Sequence, residues 1–144
     1  AAAARPASVE EAHEVWAWGS NGAGQLGRAD TTVHGEPAVV NALRGKRVLA
    51  AAAGGSAAAD GHLLVLTEGG AVFAAGDNSY GQLGVGDFRD RDALEAVGTP
   101  PRACTAASAG AQHSVAVCDG GALFAWGANA HGQLGLPAAV AQAA

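Results

Sequence analysis

The sequence predicts an all-β repeat protein, and three observations support that prediction. One nine-residue phrase, G-x-N-x-x-G-Q-L-G, occurs three times in the 144 residues, at residues 19–27, 76–84 and 127–135. The phrases begin 57 and then 51 residues apart, and self-similarity at such a spacing is typical of repeat architectures. Short apolar runs joined by a Gly-Gly turn come before the second and third phrases, and this pattern predicts β-hairpins.

The second and third units keep the same register over a long segment. Residues 62–76 align with residues 113–127 without a gap, from a histidine through an apolar alternation to the closing glycine. The extra length in the first spacing must therefore lie before His62. We expect a loop insertion at residues 54–61, where the third unit has only residues 110–112.

Each unit is predicted to contain a hairpin and a preceding strand. In the middle unit the hairpin comprises residues 62–66 and 71–75, and the third unit repeats it. A strand rich in small residues comes before each hairpin, at residues 48–53 and 103–109. Alanine has a high helix propensity, so a helix is the alternative for these two runs. Their short length and the bounding glycines favour strands.

The phrase itself predicts a tight structural loop that follows a strand. Its glycines supply positive φ angles or close backbone approach, which a Cβ atom would block. Its asparagine can close an Asx-type turn, and its glutamine can hydrogen-bond backbone groups of the loop that would otherwise lack a partner. Its leucine is expected to be buried as an apolar side chain beneath the loop. In the three copies the asparagine is Asn21, Asn78 or Asn129. The glutamine is Gln25, Gln82 or Gln133, and the leucine is Leu26, Leu83 or Leu134.

With its flanking residues the phrase resembles a known family, the regulator of chromosome condensation (RCC1-type) repeat. The resemblance lies in residues 15–30, 72–87 and 123–135, and in the Ala-Gly stretch, His-Ser pair and apolar strand of residues 107–117. It covers roughly residues 15–136 and implies a partial β-propeller of two to three RCC1-type blades. Each blade would be a four-stranded antiparallel sheet, and rings of this family usually have seven. Kelch and WD repeats are the alternatives, but the spaced Tyr and Trp of the first and the final Trp-Asp of the second do not occur.

The predicted organisation has three parts. These are a poorly ordered, alanine-rich segment at residues 1–13, the repeats at residues 14–136, and an alanine-rich tail at residues 137–144. A ring cannot close from two to three blades, and a terminal blade leaves apolar surface exposed. We therefore expect an excerpt of a longer propeller. The alternatives are that the chain completes a sheet with another protein or that it self-associates.

Tryptophans and cysteines give two further expectations. Trp16, Trp18 and Trp126 stand in the strand before the phrase and are expected to pack between blades. Cys104 and Cys118 are the only cysteines and form no C-x-x-C pair, so two buried free thiols are expected rather than a disulfide. Free thiols favour a reducing compartment, and the predicted location is intracellular, in the cytoplasm or the nucleus.

The sequence contains no reactive constellation, and no enzyme activity, cofactor or metal is predicted. The net charge of −5 argues against binding to nucleic acid or to anionic membranes, and no apolar run has membrane-spanning length. His62 and His113 occupy the same position in successive units, which predicts a structural role, and suitably spaced metal ligands are missing. His131 fills a variable slot of the phrase and is expected to face solvent.

The best candidate for a partner contact is the charged segment at residues 86–95. It differs from the matching segment of the first unit, residues 28–37, and divergent loops on a rigid frame suit recognition. A plain solvated loop is the alternative. The candidate contact residues are Asp87, Phe88, Arg89, Asp90 and Arg91.

The predicted function is a non-catalytic interaction or scaffold module that displays loops to a protein partner. The resemblance implies an alternative, guanine-nucleotide exchange on a Ran-like small GTPase, which the best-known family member performs with one propeller face. It also implies light sensing, but the G-W-R-H-T phrase of the ultraviolet receptor is GAQHS at residues 110–114. A ligase or kinase domain outside this chain is a further alternative.

Overall fold

The computed structural model describes residues 14–56, 59–98 and 100–136, and this part of the chain is all-β. Nine strands form three antiparallel sheets of two, four and three strands. The strands are β1 (Trp16–Gly19), β2 (His34–Val39), β3 (Val48–Ser56), β4 (Ala59–Thr67), β5 (Val72–Gly76), β6 (Arg91–Ala96), β7 (Cys104–Ala109), β8 (His113–Cys118) and β9 (Ala122–Gly127). The predicted N-terminal segment and tail, residues 1–13 and 137–144, lie outside the described residues.

Each sheet is built from strands that are neighbours in sequence. The first sheet pairs β1 with β2, the second runs β3-β4-β5-β6, and the third runs β7-β8-β9. The strand before the phrase is β1, β5 or β9, and the strand after it is β2 or β6. The two alanine-rich runs are confirmed as strands, β3 and β7, and not helices. The described residues thus contain one four-stranded blade between two partial blades, as predicted for a propeller segment.

Strand β4 is an inner strand of the second sheet and buries both of its faces. Leu64 and Leu66 belong to a cluster between the second and third sheets, and Val65 to a cluster between the first and second. Because side chains alternate across a strand, the uninterrupted apolar run of β4 packs against two neighbours. The larger cluster consists of Leu64, Leu66, Val72, Ala74, Leu83, Cys104, Ala116, Cys118 and Trp126. The smaller cluster consists of Val40, Leu43 and Val65.

Two segments expected to be loops are partly strand. Strands β3 and β4 continue into residues 54–61 and pair as far as Ser56 opposite Ala59, so the extra residues lengthen a hairpin. The charged segment at residues 86–95 enters β6 at Arg91. Sequence reasoning missed β2 and β6 because they are outer strands whose side chains are largely exposed, so they lack apolar alternation.

Cys104 and Cys118 are joined by a disulfide, so the expectation of two free thiols is wrong. The register places the two residues directly opposite each other on β7 and β8. The spacing of the two cysteines in the sequence does not predict that they lie opposite each other, because the register of β7 against β8 depends on where the hairpin turn lies. The argument from free thiols for a reducing compartment therefore no longer holds.

We predict that Gly54→Ala lowers the free energy of unfolding by roughly 1 to 3 kcal/mol. A Cβ atom at this position would overlap the carbonyl oxygen of Gly110 and press on the His62 ring, so β3 and β7 would have to move apart. Gly35→Ala is the control, because no described atom lies within 4 Å of the added Cβ. Denaturant titration followed by circular dichroism measures both variants, and equal losses would contradict the close approach.

Candidate functional site

The repeated phrase forms the same loop three times. Two successive β-turns follow the strand, and in the second copy Gly81 N–H donates to Asn78 O at 2.9 Å while Gly84 N–H donates to Gly81 O at 3.1 Å. The first, sixth and ninth residues have positive φ in every copy, for example +110°, +76° and +67° at Gly76, Gly81 and Gly84. The predicted requirement for glycine is confirmed, because a Cβ atom disfavours this region.

The asparagine and glutamine of the phrase tie the loop together from inside. In the second copy Asn78 Oδ1 accepts from Leu83 N–H at 3.0 Å, and Gln82 Oε1 accepts at 2.9 Å from the amide two residues earlier. The other two copies repeat both bonds. The predicted glutamine bonds are confirmed, whereas the asparagine spans five residues instead of closing an Asx turn. Leu26 and Leu83 are buried as predicted, and Leu134 is half-buried.

Asn78 also fixes the candidate contact segment. Its Nδ2 donates to the carbonyl oxygens of Asp87 at 2.9 Å and Arg89 at 3.0 Å. Its backbone amide donates to Asp90 Oδ1 at 2.8 Å. Because Asn78 is fully buried, these bonds anchor the segment to the blade. The structure therefore gathers residues 87–91, the predicted contact residues, into one turn around this side chain, which we call the contact turn.

An ion-pair cluster stiffens the contact turn. Arg91 Nη2 donates to Asp87 Oδ2 at 2.9 Å and Arg91 Nη1 donates to Asp87 Oδ1 at 3.1 Å, a bidentate pair of the strong kind. Arg91 also pairs with Glu95. The hydrogen bonds from Arg91 and from the Arg89 amide hold the pKa of Asp87 well below its usual range, and the bonds to Asp87 and Glu95 raise the pKa of Arg91. Both partners therefore stay charged across the physiological pH range.

Phe88 and Arg89 project from this frame. The Phe88 side chain is 54% exposed, and the Arg89 side chain is 83% exposed although it bonds Asp87. The side chains of Asp87 and Arg91 are only 31% and 18% exposed. Of the five predicted contact residues, Asp87, Asp90 and Arg91 thus shape the turn, while Phe88 and Arg89 are accessible to a partner.

The first unit carries a related pair that sequence reasoning missed. His34 Nε2 lies 2.8 Å from Asp30 Oδ1, and these residues stand at the positions of Arg91 and Asp87. The hydrogen bond with His34 lowers the pKa of Asp30. The signal was present in the sequence, since both units have an acid three residues after the phrase and a base four residues later.

A buried polar bridge joins the second and third sheets. Ser114 Oγ donates to Gln82 O at 2.6 Å, so it accepts from His62 Nε2 at 2.9 Å. His62 is 1% exposed and Ser114 is fully buried, so a substrate cannot reach this serine and histidine. His113 is half-buried and His131 is exposed, the latter as predicted.

We predict that stability falls as the pH is lowered from about 6.5 to about 4. Burial lowers the pKa of His62 to about 4, from about 6.5 in the unfolded chain. Its Nδ1 finds no hydrogen-bond partner among the described residues. As the pH falls, His62 therefore becomes protonated in the unfolded state before it does so in the folded state. The stabilisation is complete above pH 6.5 and is lost as the pH falls to about 4, by roughly 3 kcal/mol.

Denaturant unfolding at a series of pH values measures this loss. His62→Gln keeps a donor for Ser114 and should flatten the profile between pH 6.5 and 4, whereas His131→Gln on the surface should not. A wild-type slope that persists in His62→Gln would assign the pH dependence to other groups.

The three tryptophans have different environments, and only Trp126 packs between sheets as predicted. It is 1% exposed, and its Nε1 donates to Gln82 O at 2.9 Å. Trp16 and Trp18 are 51% and 57% exposed, so the expectation is wrong for them. Ala17, between them, packs toward the second sheet. The two rings therefore lie on the opposite face of β1, which no sheet of the described residues covers.

The contact turn presents an exposed aromatic side chain and, next to it in the chain, an exposed guanidinium group. In the part of the chain that the structure describes, no group of three or more His, Cys, Asp or Glu side chains could hold a metal ion. No helix there has the length and apolar character needed to cross a membrane.

Known proteins share this repeat. A profile described as the regulator of chromosome condensation (RCC1) repeat matches residues 12–59 and 69–117, and a second profile with the same description matches residues 104–133. The dog X-linked retinitis pigmentosa GTPase regulator is 40% identical over 126 residues. Mouse Protein RCC2 is 36% identical over 128 residues, and the ultraviolet-B receptor UVR8 of Arabidopsis thaliana is 37% identical over 123 residues.

These relatives are longer proteins. The alignments cover 86%, 85% and 85% of this chain but only 12%, 23% and 27% of the three relatives. Solved structures agree in fold. Human WBSCR16 matches with a TM-score of 0.76 at 25% identity, over 90% of this chain and 32% of that one. Prp20p of Saccharomyces cerevisiae matches with a TM-score of 0.74 at 22% identity, over 86% of this chain and 31% of that one.

The profile matches and the geometry of the phrase agree with each other. The profiles together cover most of the chain, and the three phrases form loops with the same backbone hydrogen bonds at equivalent places after successive strands. The chain belongs to the regulator of chromosome condensation (RCC1) repeat family, and its three sheets are part of a β-propeller.

Proposed function

We propose that this chain is a protein-interaction module that presents the contact turn, residues 87–91, to a protein partner. The observation that supports this most directly is the combination of a fixed backbone with an exposed tip. Asn78 and Arg91 already hold the turn, so binding would not have to order it. The exposed tip consists of Phe88 and Arg89.

These two side chains define the surface that a partner must offer. A ring that is 54% exposed gains most from an apolar pocket, and an exposed guanidinium gains most from carboxylates at the rim of that pocket. Aromatic residues and arginine are also the types enriched at the energetic centres of interfaces. A partner with a small apolar pocket beside acidic side chains fits this description.

Photo-cross-linking from the contact turn tests the proposal. A photoreactive amino acid replaces Phe88 in one variant and replaces Leu49, which is 55% exposed on β3, in the control variant. We expect a specific protein adduct from position 88 and none from position 49. Equal adducts from both positions, or none from position 88, would contradict the proposal.

We predict that Phe88→Ala weakens binding of that partner by roughly 30-fold and changes the free energy of unfolding by less than about 0.5 kcal/mol. Truncating an interface anchor removes contact with the partner, but the ring buries little in the free chain. Titration calorimetry and denaturant unfolding measure the two effects. A variant that binds with wild-type affinity would exclude Phe88 from the interface.

A second candidate function is regulation of a small GTPase, and the relatives favour it. One is named a GTPase regulator, and the yeast structure was described together with its binding to Gsp1p and histones. Mixing the chain with a Ran-like GTPase loaded with a fluorescent nucleotide distinguishes the candidates. Accelerated release supports exchange activity, whereas binding without faster release supports a scaffold role.

A further inference from the structure

The segment that follows the first phrase folds into a turn of the same design as the contact turn. Asn21 Nδ2 donates to the carbonyl oxygen of Asp30 at 2.8 Å. Asp30 Oδ1 accepts from the Thr32 amide at 3.1 Å and lies 2.8 Å from His34 Nε2. The corresponding asparagine, acid and base make the same bonds in the contact turn. We call residues 30–34 the first-unit turn, and its own side chains fix its backbone.

The exposed tip of the first-unit turn differs in chemistry from the tip of the contact turn. Val33 stands at the position of Asp90, whose carboxylate accepts from the Asn78 amide at 2.8 Å. A valine side chain accepts no hydrogen bond, and Val33 is 73% exposed. Thr31 and Thr32 are exposed beside it. This tip is therefore uncharged, whereas the tip of the contact turn carries an aromatic ring and a guanidinium group.

The two turns leave one hydrogen-bonded junction between the first and second sheets. Ala29, which precedes the first-unit turn, donates its N–H to the carbonyl oxygen of Asp92 at 2.8 Å, and Asp92 directly follows the contact turn. Arg28 and Ala93 form an antiparallel bridge beside this bond. The first phrase presses on the same place, since a Cβ atom added to Gly24 would overlap the backbone of Asp92. The junction therefore holds the two turns in a fixed relation to each other.

The backbone of Ala29 is strained at this junction. Its φ is +63°, in the left-handed region that favours glycine. Gly86 takes the equivalent position before the contact turn, with a φ of +88°. Among the described residues, Ala29 is the only residue other than glycine with a positive φ. Strain of this kind persists where the surrounding structure imposes it, and it is concentrated at functional sites.

We propose that the first-unit turn is a second contact turn, and that both turns bind one protein partner as a single rigid surface. This inference rests on the proposed function, since the partner is the protein that binds Phe88 and Arg89. Two turns that are already fixed relative to each other lose little further freedom when they bind together. The partner thus has two features side by side. One is an apolar pocket with an acidic rim for the contact turn, and the other is an uncharged patch for Val33 and the threonine hydroxyls.

Titration calorimetry with the protein captured by cross-linking from position 88 tests this inference. Val33→Asp gives the first-unit turn the residue that the contact turn has at this position, so the turn is kept while a charge faces the uncharged patch. We expect the dissociation constant to rise roughly 10-fold. Leu49→Asp adds the same charge on β3, where Leu49 is 55% exposed, and should bind like the wild type. Circular dichroism checks that both variants are folded, and equal weakening by Leu49→Asp overturns the inference.

The outcomes separate this inference from the proposed function. Phe88→Ala and Val33→Asp should each weaken binding, with effects that add in the double variant, because the two contacts lie apart in one interface. Weaker binding by Phe88→Ala together with wild-type affinity in Val33→Asp overturns the second contact turn and leaves the proposed function standing. Wild-type affinity in Phe88→Ala, or capture of no protein from position 88, overturns both.

Discussion

Replacing Trp126 by alanine is expected to lower the free energy of unfolding by roughly 3 to 5 kcal/mol, the largest loss of the substitutions proposed for this chain. The side chain is 1% exposed and belongs to the cluster between the second and third sheets. Its removal leaves a cavity and takes the indole donor from the carbonyl oxygen of Gln82. Since small domains are stable by only about 5–15 kcal/mol, we expect the variant to be close to unfolding at room temperature.

The chain supplies its own control for this substitution. Trp18→Ala removes the same side chain from the same position of the first unit, where it is 57% exposed. It should change the free energy of unfolding by less than about 0.5 kcal/mol. Trp126→Phe, which keeps most of the packing, should fall between the two. Equal losses in Trp126→Ala and Trp18→Ala, measured by denaturant unfolding, would contradict the packing described for β9.

Asn78→Ala is expected to lower the free energy of unfolding by roughly 2 to 4 kcal/mol. The substitution leaves the buried N–H of Leu83 without its acceptor and the carbonyl oxygen of Asp87 without its donor. The carbonyl oxygen of Arg89 loses one of its two donors and keeps the bond from Arg91 Nη1. An unmet buried hydrogen-bonding group costs about 1 to 3 kcal/mol; the Leu83 N–H is such a group, and the partly buried bonds to the contact turn add to the loss. We also expect weaker partner binding, because the contact turn loses its anchor although Phe88 is unchanged.

Thermal unfolding and partner binding together test this prediction. Tyr80→Ala, an exposed side chain in the same phrase, is the control and should leave stability within about 0.5 kcal/mol of the wild type. A binding affinity that survives in the folded fraction of Asn78→Ala would show that the contact turn keeps its shape without the anchor.

The parts of the fold that are encoded locally could be predicted from the sequence. Hairpins follow from alternation and a Gly-Gly turn, and the phrase loop follows from glycines that all adopt positive φ. The sequence indicates the segment of the contact turn as a candidate because this segment has a higher density of charged residues than the segments on either side of it. The sequence could not show that Asn78 anchors it, since its bonds reach residues 9 to 12 positions away.

The features that were missed depend on neighbours that lie apart in the chain. Strands β2 and β6 are strands because β1 and β5 pair with them, not because their own residues alternate. Trp18 and Trp126 have the same local sequence context, and only the adjacent sheet decides which is buried. Cys104 meets Cys118 because of the register of β7 against β8.

The β3–β4 hairpin has a practical consequence for protein engineering. Its two strands have nine residues each, whereas the equivalent strands β7 and β8 have six. The added residues of both strands pair as far as Ser56 with Ala59, with one irregularity between Gly54 and Ser56, while β4 pairs with β5 from His62 to Leu66. An epitope tag or a foreign binding peptide grafted between Ser56 and Ala59 should therefore be displayed without disturbing the rest of the scaffold.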